Sequence, residues 1–174
     1  MIKTIFIFFV FFIFNIGYAS DKGSETLLDL PRYVSLKSND SNLRVGPSKN
    51  YPIILKYIVN NLPLKIIDEY ENWREIVDIE NNTGWIHKSL LKGERFGIII
   101  NKNKNEIFIH NIIDGKIIGK IEKGNIVQLS RCNLEWCLIK KDNYKGWVEK
   151  NYIWGVKEKE VFNINFYQKL NDLL

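Results

Sequence analysis

The sequence predicts an all-β chain of two small, closed or sandwich-like units in tandem, and three observations carry that prediction. The first is an internal repeat. Residues 73–91, WREIVDIENNTGWIHKSLL, return in degenerate form as residues 136–154, WCLIKKDNYKGWVEKNYIW. Each copy has a Trp, a β-branched run, a polar turn and then Gly-Trp. The Trp-to-Trp spacing is 12 (85 − 73) in one copy and 11 (147 − 136) in the other. Leu64-Lys65-Ile66 matches Val127-Gln128-Leu129 at the same offset of 63 that relates Trp73 to Trp136. A fixed offset over several apolar positions marks two copies of one structural unit. The second observation is the length of 174 residues, which fits one domain or two small ones. The third is a run of short apolar-alternating segments separated by polar turns, the pattern of small β units.

Strands are expected at 33–37, 42–45, 53–58, 64–67, 73–79 and 85–86, with a short helical turn at 88–91. Within 73–79, Trp73, Glu75, Val77 and Ile79 share one face and Arg74, Ile76 and Asp78 the other, because strand side chains alternate. Gly46-Pro47 breaks the chain after 45, and 80–84 forms a hairpin turn. The second unit repeats the order, with strands at 96–100, 106–109, 117–121, 126–129, 136–140 and 147–148 and turns at Asp114-Gly115 and 142–146. Beyond Gly155, Phe162, Phe166, Leu170 and Leu174 recur every four residues, which allows an amphipathic helix in the tail, although 161–166 is also strand-like.

The termini are read separately. Lys3 followed by the apolar run 5–14 and Gly17-Tyr18-Ala19 has the form of a secretory signal peptide cleaved after Ala19. The alternative is an uncleaved anchor, but the run is shorter than the roughly 20 residues that span a bilayer. No Cys follows it to carry a lipid. The expected organisation is a signal peptide at 1–19, a leader without order at 20–32, units at 33–92 and 93–156, and a tail at 157–174. The product is expected outside the cytoplasm, periplasmic or extracellular, with no stable membrane span after cleavage.

The chain carries a formal charge of +5, or +4 once Lys3 is removed. Its lysines are dispersed, so the clustered basic face that nucleic acid requires is missing and no nucleic-acid partner is expected. Cys132 and Cys137 are the two cysteines. In an exported chain an even number of cysteines reads as a disulfide, here closing a hairpin across residues 133–136. Free thiols are the alternative, and a redox role is disfavoured because the spacing is not C-x-x-C.

Asn42-Leu43-Arg44-Val45-Gly46-Pro47-Ser48, then Tyr51-Pro52-Ile53, Trp73 and Gly84-Trp85-Ile86-His87 together resemble the bacterial SH3-like (SH3b) domain. The second copy keeps Trp136, Gly146-Trp147-Val148 and Trp154-Gly155. It departs at its start, where Ile107-Phe108-Ile109-His110 replaces the Asn-Leu-Arg opening. The whole chain is similar to exported proteobacterial proteins that carry such domains in tandem. The resemblance implies small barrels of five to seven strands and a non-catalytic role in recognising peptide or peptidoglycan. Packing on another envelope protein is the alternative, and a cell-wall hydrolase is the third and least supported reading.

Trp73 and Trp136 are expected mainly in the core, because burying an indole removes about 150–250 Å² from water. A ligand platform is the second reading. Arg44, Tyr51, Tyr57, Tyr70 and Trp85 are the candidate ligand-binding set, by analogy with the aromatic groove of eukaryotic SH3 domains. Arg44 also reads as a solvated or ion-paired side chain. No catalytic, metal or cofactor residues are assigned. The two histidines, His87 and His110, have no metal-ligand spacing. Ser89 lacks a nucleophile-elbow context, and no stretch remains for a papain-like hydrolase domain.

Overall fold

The computed structural model describes residues 21–101 and 106–163. The expected signal peptide, and Phe166, Leu170 and Leu174 of the expected tail helix, lie outside the described residues. A two-stranded hairpin opens the described chain, with β1 (Asp21–Lys22) and β2 (Asp29–Leu30). The first unit follows: β3 (Arg32–Leu36), β4 (Ser41–Arg44), β5 (Ile53–Tyr57), β6 (Pro63–Tyr70), β7 (Trp73–Val77), β8 (Thr83–His87) and β9 (Leu91–Lys92). The second is β10 (Phe96–Ile99), β11 (Glu106–His110), β12 (Ile117–Glu122), β13 (Ile126–Cys132), β14 (Trp136–Lys141), β15 (Tyr144–Glu149) and β16 (Ile153–Trp154). A single 3₁₀ turn precedes the last strand of each unit, at Lys88–Leu90 and Lys150–Tyr152.

The two sheets have the same strand order, β5-β4-β8-β7-β6-β3-β9 and β12-β11-β15-β14-β13-β10-β16. Their irregularities coincide as well. Register shifts fall between Ile66 and Asp68 and between Leu129 and Arg131, and again between Leu43 and Arg44 and between Ile109 and His110. Bulges bend and twist a strand, so each sheet curls over its own apolar cluster. Leu36, Leu43, Leu64, Ile66, Ile76 and Ile86 fill the first. Ile99, Val127, Leu129, Ile139, Val148 and Ile153 fill the second.

Gly84 and Gly146, the glycines of the two Gly-Trp pairs, explain themselves by close approach. A Cβ on Gly84 would lie 2.7 Å from the Arg44 carbonyl oxygen, and one on Gly146 would lie 2.3 Å from Ile109 Cγ2. Any side chain there would push the neighbouring strand away.

The leader is not disordered. Glu69 on β6 has a fully buried carboxylate that accepts from the backbone N–H groups of Glu25 (3.0 Å) and Thr26 (2.8 Å) and from Thr26 Oγ1 (2.8 Å). Arg32 Nη2 (2.5 Å) and Arg74 Nε (3.3 Å) complete the cluster. The leader is thus tied to the first unit by polar bonds, which hydrophobic periodicity does not register. Burial raises the Glu69 pKa, but the hydrogen bonds from Thr26, Arg32 and Glu25 outweigh it and hold the carboxyl at about 2.

The second unit resolves the same position differently. Glu69 stands opposite Arg74 across β6 and β7, and Cys132 stands opposite Cys137 across β13 and β14. Each pair is related to the other by the repeat offset of 63 (132 − 69 and 137 − 74). Cys132 and Cys137 form the expected disulfide. A flanking segment docks here too: Cys132 and Phe162 exchange both backbone hydrogen bonds, at 3.2 and 3.1 Å. Lys150, buried at the 3₁₀ turn, donates from Nζ to the carbonyls of Glu158 (3.1 Å) and Glu160 (2.8 Å) and holds the same segment.

Glu69→Gln is expected to cost about 3 kcal/mol at neutral pH, because it leaves Arg32 and Arg74 without their carboxylate. The folded pKa lies below the unfolded value of 4.5, so this stabilisation is complete above about pH 4.5 and fades as pH falls toward about 2. Urea unfolding of both proteins across that range should show their difference shrinking with acid; a difference independent of pH would contradict it. Replacing Cys132 and Cys137 by Ser should cost about 2 kcal/mol, the chain-entropy value for so small a loop. Intact-mass analysis before and after alkylation should find the wild-type pair bridged.

Candidate functional site

Trp73 and Trp136 are buried, at 8% and 6% exposure, yet neither belongs to the apolar cluster of its unit. The alternation of β7 explains this. Ile76 is fully buried in the core, so Trp73, Glu75 and Val77 occupy the opposite face. The expected burial of the indole holds, but its place differs: it packs apart from the main apolar cluster, on the outer face of the curled sheet.

Two rows of side chains cross that face in the first unit. Tyr70, Trp73 and His87 stand opposite one another on β6, β7 and β8. Asp68, Glu75, Trp85 and Arg44 form the next row, on β6, β7, β8 and β4. Directly opposed residues on neighbouring strands are within contact range. The His87 ring meets Trp73 edge-on at 5.3 Å between centroids. Its Nδ1 accepts from Ser89 N at 3.4 Å and lies 2.8 Å from Ser89 Oγ, which leaves Nε2 as the donor of the neutral ring. Burial first, and the charge of Asp68 second, push the Glu75 carboxyl above the usual range.

A groove of about 380 Å³ runs beside Trp73 and His87, walled by Pro47, Ser48 and Lys49 on one side and Glu71 and Asn72 on the other. The equivalent groove of the second unit, about 690 Å³, passes Trp136 between Asp114 and the 3₁₀ turn that begins at Lys150. His110 again meets the indole edge-on, at 5.1 Å, but it comes from β11 rather than from the strand end, where Glu149 stands. The His110 Nδ1 lies 2.8 Å from the Gly115 carbonyl and donates to it. The two grooves differ in charge. Lys49, His87 and Glu71 border the first, whereas Asp114, Glu135, Glu149 and Glu158 border the second with Lys150.

The five candidate residues separate. Tyr70 flanks Trp73, while Arg44 and Trp85 lie one row further along the same face. Arg44 Nη1 donates to the Tyr51 carbonyl at 2.7 Å and so holds the 45–52 turn. Tyr51 is exposed beside Gly46. Tyr57 does not join them. It is buried in the core cluster and its hydroxyl donates to Asp78 Oδ2 at 2.9 Å, so it is a structural residue. Burial, and then the hydrogen bond to Asp78, raise its pKa. His87, Lys49 and Asn72 were not foreseen. The alternation of 83–87 places His87 on the face of Trp85, and a hairpin turn at 80–84 carries it back to Trp73, which is the signal that would have found it.

The family model of the Bacterial SH3 domain matches residues 37–93 and 113–155. The chain belongs to the bacterial SH3 domain family. Its two SH3 domains place the Trp-lined grooves at equivalent positions. No curated protein matches the chain. Among solved structures it is similar to NlpC2 from Trichomonas vaginalis, at 14% identity and a TM-score of 0.32, over 82% of this chain and 54% of that one. NlpC1 from the same organism gives 14% and 0.32, over 83% and 52%. An NlpC/P60 family protein from Bacillus cereus gives 10% and 0.31, over 70% and 55%. The chain spans about half the length of these proteins, and the overlap is too low to carry any activity to it.

Trp73→Ala should cost about 3–5 kcal/mol, since a large buried side chain is removed. His87→Ala, at a partly buried position, should cost under about 1 kcal/mol. Thermal or urea unfolding of both variants checks this, and equal costs would place the two residues in one structural role.

Proposed function

We propose that this is an exported, non-catalytic tandem SH3 protein that recognises peptide, free or as the peptide part of peptidoglycan, in the cell envelope. The duplicated groove beside Trp73 and Trp136 carries the reading. In each SH3 domain an indole held on the outer face, with a His ring at its edge, borders a concave strip between two turns. Such a strip offers an extended peptide an apolar wall and polar ends, as aromatic-lined grooves do. Membership in the bacterial SH3 family supports a binding role. The signal-peptide pattern of residues 1–19 supports export, and the lack of a nucleophile–base pair in the sequence supports a role without turnover.

A second reading is docking onto another envelope protein. The edge strands favour it: Ile53 and Ile54 on β5, and Ile117 and Ile118 on β12, are about half exposed at matching places in the two units. Exposed apolar edges are surfaces that native proteins usually protect.

Sedimentation with purified sacculi decides between these readings. The wild type should be retained, and Lys49→Ala with His87→Ala should lose roughly tenfold in affinity while staying folded. No retention, with efficient crosslinking of β5 or β12 to an envelope protein, would favour the second reading. Clearing of peptidoglycan in a zymogram would overturn the non-catalytic assignment.

A further inference from the structure

The second unit holds a pocket of about 510 Å³ between β12 and the turn that joins β14 to β15. Ile109, Ile118, Ile121 and Ile139 give it an apolar lining, Gly119 leaves one side open, and the exposed Tyr144 borders it. The first unit shows why the space exists. Leu43 faces Leu55 just before the bulge of β4, and Ile109 faces Gly119 just before the bulge of β11, so Gly119 stands in the place of Leu55. Two residues on, Ile121 stands in the place of Tyr57. On the neighbouring hairpin Lys141 stands in the place of Asp78, each two residues beyond the matched pairs Ile139–Gly146 and Ile76–Gly84. In the first unit Leu55 packs on the core, and the Tyr57 hydroxyl donates to Asp78 at 2.9 Å and closes the gap between strand and turn. The second unit lacks the leucine, the phenol and the acid together, and the gap is open.

Nothing in the fold requires glycine at 119. Its φ is not positive, and a Cβ there would meet no atom within 4 Å. A glycine in a strand beside open space marks a place where another backbone can come close. β12 ends its sheet, with no strand beyond it among the described residues. Its outward N–H and C=O groups are therefore a template for a further strand. Directly paired residues of neighbouring strands point to the same face. The residue opposite Gly119 on an added strand would thus point into the pocket, where Leu55 points in the first unit. Aromatic side chains are the ones that cover a cross-strand glycine, and a ring fills more of this space than an aliphatic group. The charged rim asks for no ionic partner: Lys120 is engaged by Glu106, and Lys141 and Lys145 are balanced by Glu122 and Asp142.

We propose that β12 accepts an extended peptide segment of a partner protein as an additional strand, with an aromatic side chain opposite Gly119 seated in the pocket. Backbone bonds to the strand edge supply affinity and the pocket supplies specificity, as in strand addition generally. The site rests on the docking reading and narrows it. It assigns docking to β12 rather than to β5, where Leu55 and Tyr57 fill the equivalent space. It is separate from the Trp73 and Trp136 grooves.

The test is an NMR titration of the full chain with the peptides N-acetyl-Thr-Phe-Thr-amide and N-acetyl-Thr-Ala-Thr-amide, following the Gly119 and Gly146 amides and the Trp73 and Trp136 indoles. The phenylalanine peptide should give saturable shifts at both glycines and none at either indole. The alanine peptide should bind about tenfold more weakly, because the side chain that enters the pocket is missing. Gly119→Leu places the first unit's side chain in open space; it should keep the fold and abolish binding, read at Gly146. Ile121→Tyr with Lys141→Asp rebuilds the first unit's seal and should abolish binding independently. Equal responses to the two peptides, shifts centred on an indole, or binding that survives either folded variant would each overturn the proposal. Crosslinking of β12 to an envelope protein, undiminished by Gly119→Leu, would overturn the pocket and leave the docking reading standing. Peptide binding at Gly119 with no envelope protein crosslinked to either edge would uphold the pocket as a peptide site and remove the docking reading.

Discussion

One cross-strand position governs how this chain is assembled. Between the fourth and fifth strands of each unit, two buried residues face each other where the strands leave the bulge. In the first unit they are Glu69 and Arg74, and in the second Cys132 and Cys137. An ion pair and a covalent bond thus serve the same hairpin. The ion pair is stable only because the carboxylate has several further donors, as buried charges require. Those donors come from the leader, which is ordered for that reason. The disulfide needs no such partners, so its unit is free to dock a different segment: Phe162 pairs with Cys132 through its backbone and packs its ring against the second core.

The same position accounts for what could be read in the sequence. Strand positions, the two hairpins, the duplication and the disulfide were all legible, because alternation, turn residues and cysteine spacing act locally. Alternation also divided 73–79 into two faces, but it could not say which was inside. Arg74 made the face it shares with Ile76 look solvated, and Trp73 made the other look like core. Glu69 reverses this by neutralising Arg74 in the interior, from a place outside the local window. The ordered leader escaped notice for the same cause, since its anchor is a set of hydrogen bonds rather than an apolar stripe.

The candidate site was legible in part. Arg44, Tyr70 and Trp85 do fall on the face that carries Trp73, because residue parity along paired strands is a local property. Tyr57 was misplaced because a tyrosine on an edge strand can turn either way, and its partner Asp78 lies in a turn 21 residues on. The grooves depend on which loops approach the indole, which is tertiary information. The repeat invited the assumption of two equal sites, yet the second groove has an acidic border and the first a mixed one, with Lys49 against Glu71, so the two suit different ligands.

The exchange of Glu–Arg for Cys–Cys also bears on how such a duplicated gene can diverge. Single substitutions between the two states pass through a chain with one lone charge in the interior, a cost of about 3–5 kcal/mol that a small domain rarely survives. Loss of the glutamate strands a second cation as well, the arginine 37 residues before it. In the present second unit that cation is Arg95, and a carboxylate from a distant part of the chain, Glu160, has taken over its neutralisation. Paralogues in transit between the two states are therefore expected to keep an acidic residue after the last strand, and its presence would date the change of staple relative to the arrival of the tail.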